Sequence, residues 1–97
     1  MRIIAKKTLQ AYWEREPRAK AALEAWHAEV HHAAWTSPAE VKARYGSASI
    51  LADNRVVFNI SGNTYRLVVK INYQLGIVYI RFVGTHSEYD KIDAETV

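Results

Sequence analysis

The sequence predicts an α+β domain: an antiparallel sheet with two N-terminal helices packed on one face and its other face open. Three observations carry that reading. Apolar residues recur at spacings of three and four through the first third of the chain. Strict apolar alternation replaces them between Arg55 and Val83. A proline and glycine punctuation, Pro17, Pro38, Gly46, Gly62 and Gly76, falls between the periodic runs and not within them.

In chain order, Arg2–Ala5 is short and apolar and suits a first strand. From Lys7 or Thr8 the pattern is helical: Leu9, Tyr12 and Trp13 share a face, with Thr8 as an N-cap. Glu16 precedes Pro17 and resists the α region, so the helix ends there and Pro17 opens the next. Ala19, Ala22, Leu23, Trp26, Val30 and Ala33 make the apolar stripe of that second helix. Ser37-Pro38-Ala39-Glu40 is a capping box that predicts a third, short helix to about Tyr45, stopped by Gly46. Ser49–Leu51 fits a short strand, and Asp53-Asn54 a turn. Lys91–Val97 is a helical end or a frayed one.

The second half holds three strand-like runs, Arg55–Ile60, Thr64–Tyr73 and Ile77–Val83. Matching apolar faces puts Ile60 opposite Tyr65 and Tyr73 opposite Val78, with a glycine in each connecting loop. In that register Arg55, Asn59, Arg66, Lys70, Asn72, Tyr79 and Arg81 share the mixed face: four cations and no carboxylate. Gly84-Thr85-His86-Ser87-Glu88-Tyr89-Asp90, followed by Lys91, leaves the sheet edge beside them. A basic face of this kind suits an anion or a nucleic acid.

Composition bounds the alternatives. The 97 residues make one domain, residues 1–97, too short for two. There is no cysteine, hence no disulfide framework and no thiolate metal site. No run approaches the roughly 20 apolar residues of a membrane span, and the first residues lack a signal-peptide pattern, so a cytoplasmic location is expected. The net charge of +3 permits a polyanionic partner. His27 and His31 stand at i, i+4, a zinc-compatible spacing, but the glutamate of the metalloprotease pattern is missing and solvated helix histidines are the better reading. Trp13 and Trp26 fall on core stripes, while Trp35 is open between packing and base stacking. Neither phosphate-binding glycine loops nor a hydrolase triad order is present, and no cofactor or metal is expected.

Val56-Val57-Phe58-Asn59-Ile60, then Gly62-Asn63-x-Tyr65-Arg66-Leu67, then Tyr79-Ile80-Arg81-Phe82-Val83-Gly84-Thr85-His86-x-Glu88-Tyr89-Asp90 resemble the HigB family of bacterial toxins, within the RelE-like group. The resemblance implies a RelE-like, microbial ribonuclease-like α+β fold. It implies an mRNA interferase that cuts messenger RNA on the translating ribosome and is neutralised by a HigA-type helix-turn-helix antitoxin. By the same resemblance Arg66, Arg81, His86, Tyr89 and Asp90 are the candidate catalytic residues, and Lys70 joins them mainly through its place on the same face; Arg55, Asn59, Asn72 and Tyr79 of that face, with Lys91, are the candidate RNA contacts.

The residue types suit that chemistry. RNA can be cut by its own 2′-OH if a proton is removed, the phosphorane is stabilised and the departing 5′-oxygen is protonated. Arginine forks stabilise charge. His86 transfers protons near neutral pH. Tyr89 stacks on a base or acts as acid; Asp90 orients His86 or Lys70, or caps the terminal turn. Two rivals are a ParE-like toxin acting on DNA gyrase and an RNA-binding module without catalysis.

Overall fold

The computed structural model describes residues 1–97 and runs β1 (Arg2–Ile4), α1 (Lys6–Arg15), a 3₁₀ turn (Pro17–Ala19), α2 (Lys20–His32), α3 (Pro38–Arg44), β2 (Ser49–Ile50), β3 (Arg55–Ile60), β4 (Tyr65–Asn72), β5 (Ile77–Thr85) and α4 (His86–Tyr89). The five strands form one sheet in the order β1-β5-β4-β3-β2. It is antiparallel except at its edge, where β1 lies parallel to β5.

Both N-terminal helices cover one face, as their stripes require. Leu9, Tyr12 and Trp13 of α1 and Leu23, Trp26 and Val30 of α2 are buried against Val56, Phe58, Leu67, Val69, Ile71 and Val78. Phe58 is the centre of that core, edge-on to Trp26 and Tyr45 and stacked on Trp35 at 6.3 Å. Trp35 is therefore a packing residue. Burial pushes the Tyr12 and Tyr45 phenols up to about 12, so both stay neutral in the core. α1 starts at Lys6, earlier than the sequence suggests, so Thr8 lies inside the helix and does not cap it. Ser37 caps α3 by accepting from the Glu40 amide, with Pro38 at the first position. Glu40 turns instead to the Thr36 amide, so the reciprocal half of the box is absent. The β2–β3 turn sets both Asp53 and Asn54 at positive φ, and Gly62 and Gly76 take positive φ in the two meander turns.

Two features differ from the expected meander. Ile60 does lie opposite Tyr65, but Val78 lies opposite Ile71, not Tyr73. Farther along, Val69 pairs Ile80 while Val68 pairs Phe82, so Arg81 is an extra, bulged residue. The bulge turns the rest of β5 over: Val83 faces the helices, and Phe82 faces the other side with Val68. The second difference is that the outer face is not open. Residues 91–97 are neither helix nor frayed end; they fold back across it, and Ala94 is buried on Val57 and Val68. Leu51, Phe82, Tyr89, Ile92 and Val97 surround that small second core.

Gly84 is required by close approach. A Cβ there would sit 2.7 Å from Cζ of Phe82 and 3.1 Å from Oε1 of Glu88. Gly84→Ala should destabilise by about 1–3 kcal/mol through overpacking; a thermal melt superimposing on the parent's would show that the Phe82 ring has room to move. No helix is long and apolar enough to cross a membrane.

Candidate active site

Strand pairing lays the outer face out in rows. Asn59, Arg66 and Gly84 make the first, Val57, Val68 and Phe82 the second, Arg55, Lys70 and Tyr79 the third, with Asn72 opposite Ile77 beyond. The second row is apolar and lies beneath residues 92–97. It divides what the sequence suggests is one basic surface into two ends.

At the first end β5 runs into α4. Thr85 accepts from the Glu88 amide and Glu88 accepts from the Thr85 amide at 2.8 Å, a complete capping box that fixes this single turn. The bond from the Thr85 amide holds the Glu88 carboxyl below its usual range. The His86 amide donates to the Thr64 carbonyl at 3.1 Å and ties the turn to β4. On the turn's exposed side, His86 Nδ1 lies 3.1 Å from Asp90 Oδ2, at i, i+4. Asp90 thus faces His86 and not Lys70. A neutral imidazole donating from Nδ1 to this carboxylate leaves Nε2 with its lone pair open to solvent. Tyr89 is half-buried on the second core, and Lys91 is exposed.

The arginines are not equivalent. Arg66 is only 9% exposed, and its guanidinium donates to Asn63 Oδ1 at 2.5 Å and to the Asn63 and Tyr65 carbonyls at 3.2 and 3.3 Å. It clamps the β3–β4 turn. Arg55 is 6% exposed and donates to the carbonyls of Ala94, at 3.3 Å, and Val97. As the chain folds here, Arg55 anchors residues 91–97 and presents nothing to solvent, so a surface RNA contact does not fit its burial. Arg81 is exposed. The bulge throws it outward, its Nε donates to the Val97 oxygen at 3.1 Å, and its two terminal nitrogens are uncommitted.

At the other end Lys70 donates to Asp53 Oδ2 at 2.9 Å, which lowers the Asp53 carboxyl through that hydrogen bond and the lysine's charge. The surface is therefore not free of carboxylate. The pairing of Ile60 with Tyr65 already places Arg55 opposite Lys70, and with it the turn that carries Asp53; Asn63, three residues before Arg66, was equally within reach of the register. Lys70, Tyr79 and Asn72 line one shallow hollow. Asn59, on β3, lines a separate cleft with Trp26 and Glu29. At about 3.3 Å per residue, Lys70 opposite Tyr79 lies roughly 20 Å along the strand from His86. One reacting phosphate does not touch both.

The nearby acids are committed singly, Asp53 to Lys70, Asp90 to His86 and Glu88 to its cap. No three His, Asp or Glu side chains converge in a metal-binding group. His27 and His31 stack at 6.2 Å on α2, far from this turn.

Residues 19–92 match the family model of the HigB toxin, a RelE-like toxic component of a toxin-antitoxin system. An mRNA interferase toxin HigB of Escherichia coli K12 is 33% identical over 96 residues, covering 97% of this chain and 92% of the relative. The mRNA interferases HigB of Escherichia coli O157:H7 and of Shigella flexneri match to the same extent. A match over nearly the whole chain, with the capped His86 turn inside it, places this protein in the HigB family of RelE-like toxins of toxin-antitoxin systems.

Proposed function

We propose that the chain is an mRNA interferase: a cytoplasmic endoribonuclease that cuts messenger RNA on the translating ribosome and is held in check by a HigA-type helix-turn-helix antitoxin. The observation that carries the reading is the His86–Asp90 pair, exposed on the capped turn that follows β5. His86 Nε2 takes the proton of the 2′-OH as that oxygen attacks the adjacent phosphorus, and Asp90 stabilises the imidazolium that forms. The terminal nitrogens of Arg81 meet the charge gathering on the phosphorane. The phosphorus–O5′ bond then breaks, and Tyr89, on the same turn, offers a proton to the leaving oxygen or a ring to the neighbouring base. Arg66 keeps the turn beneath His86 in place. Lys70, Tyr79 and Asn72, at the other end, hold nucleotides away from the scissile bond.

Reading mRNA ends after adding the protein to translating ribosomes tests this. Cuts at defined positions, with upstream fragments ending in 2′,3′-cyclic or 3′-phosphate, are the expected result. Fragments ending in 3′-OH would rule out attack by the 2′-OH. Protection without cuts would leave a binding module, and neither cuts nor protection would point to a gyrase-directed toxin.

A further inference from the structure

The largest groove of the molecule, about 860 Å³, lies away from the His86 turn. It opens between the start of β1, the last turn of α2 and the β4–β5 turn. Arg2, Lys6, His27 and His31 stand in its wall, and none of its lining residues is an aspartate or glutamate. Neither Arg2 nor Lys6 takes part in any ion pair of the structure. The crowding is felt within the groove: burial, then the charge of Lys6 and the neighbouring His31, hold the His27 imidazole below its usual pKa. Its floor is apolar, with Trp35 and Tyr73, and Leu75 projects at the rim, 67% exposed. The phenol oxygen of Tyr73 is buried with no hydrogen-bond partner.

A groove with cations in its wall and an apolar, aromatic floor fits a strand of phosphates and bases. Its position says which strand. Tyr73 and Gln74 line this groove and also the hollow, about 320 Å³, that contains Lys70, Asn72 and Tyr79. The two hollows therefore abut across the β4–β5 turn. The surface at the Lys70 end of the sheet therefore continues around the turn and into the groove. We propose that the groove is a second single-stranded RNA subsite, taking the nucleotides that emerge beyond Lys70 and Tyr79. The inference rests on the ribonuclease reading for the identity of the strand, and on the charge and continuity of the groove for its place.

Fluorescence anisotropy with 2′-O-methyl RNA, which lacks the attacking hydroxyl and is not cut, tests it on the intact chain. Two lengths are compared, about four and about twelve nucleotides, spanning the range of single-strand site sizes. The longer strand should bind at least tenfold more tightly. Arg2→Gln and Lys6→Gln should each weaken the longer strand by about three- to tenfold, leave the shorter one unchanged and reduce the salt slope by about 0.7. Lys20→Gln, which removes the same charge from the exposed side of α2, should leave both strands as they are. The subsite is overturned if the two lengths bind alike, if neither groove variant loses affinity, or if Lys20→Gln loses as much. Failure of the ribonuclease reading looks different: the parent protein would leave ribosome-bound mRNA uncut whatever the groove binds.

Discussion

His86→Ala should lower mRNA cleavage by about 10²–10⁴-fold, the usual contribution of a positioned proton-transfer group. The side chain is exposed and bonds only to Asp90, so its removal leaves the thermal melt of the parent. The backbone hydrogen bond from His86 to Thr64 and the Thr85–Glu88 capping box do not depend on the imidazole. The conservative partner is Asp90→Asn. It keeps an acceptor for Nδ1–H but withdraws the charge that stabilises the imidazolium, and it should lower the rate less than His86→Ala. Rates measured with ribosome-bound mRNA decide. Full activity in His86→Ala would remove the histidine from the chemistry, and an equal loss in a variant that also melts early would mean that the turn had collapsed.

The second large effect concerns stability. Phe58→Ala should destabilise the domain by about 3–5 kcal/mol. Phe58 is 1% exposed and is the one ring that meets Trp26, Trp35 and Tyr45 together. Its loss leaves a cavity that three rings on separate elements are too constrained to fill. Against a typical total of about 5–15 kcal/mol, that is enough to leave a large share of the molecules unfolded. Denaturant unfolding measures it directly. A loss below about 1 kcal/mol would mean that Trp35 and Tyr45 collapse inward and that the aromatic cluster is more plastic than its packing implies.

The N-terminal helices, the three long strands and the face carrying Arg66, Lys70 and Tyr79 were legible because each depends on periodicity, and periodicity is local. The bulge at Arg81 was not. Ile80, Phe82 and Val83 are apolar on either side of the slip, so alternation reads through it unbroken, and only pairing with Val68 and Val69 reveals the extra residue. Arg55 misled for a related reason. An arginine on the outer face of a sheet reads as solvated unless something lies over it, and residues 91–97 carry no strong pattern of their own. The same is true of Asp53, whose link to Lys70 spans a hairpin. In the site, residue types pointed to one surface where the fold makes two ends, and which arginine clamps a turn and which faces solvent is decided by hydrogen bonds to backbone carbonyls, which composition does not display.

The parallel pairing of β1 with β5 sets Arg2 beside Ile77. Closing a loop of that length carries an entropy of roughly 4 kcal/mol above the constant for any loop, and contacts so far apart in the chain slow folding. In vectorial synthesis, the first strand to leave the ribosome is among the last to find its place. The sheet edge cannot close until β5 has emerged, and the outer core waits for residues 91–97 after it. While it is being made, the nascent chain is an unfinished sheet, tethered at its still-missing end.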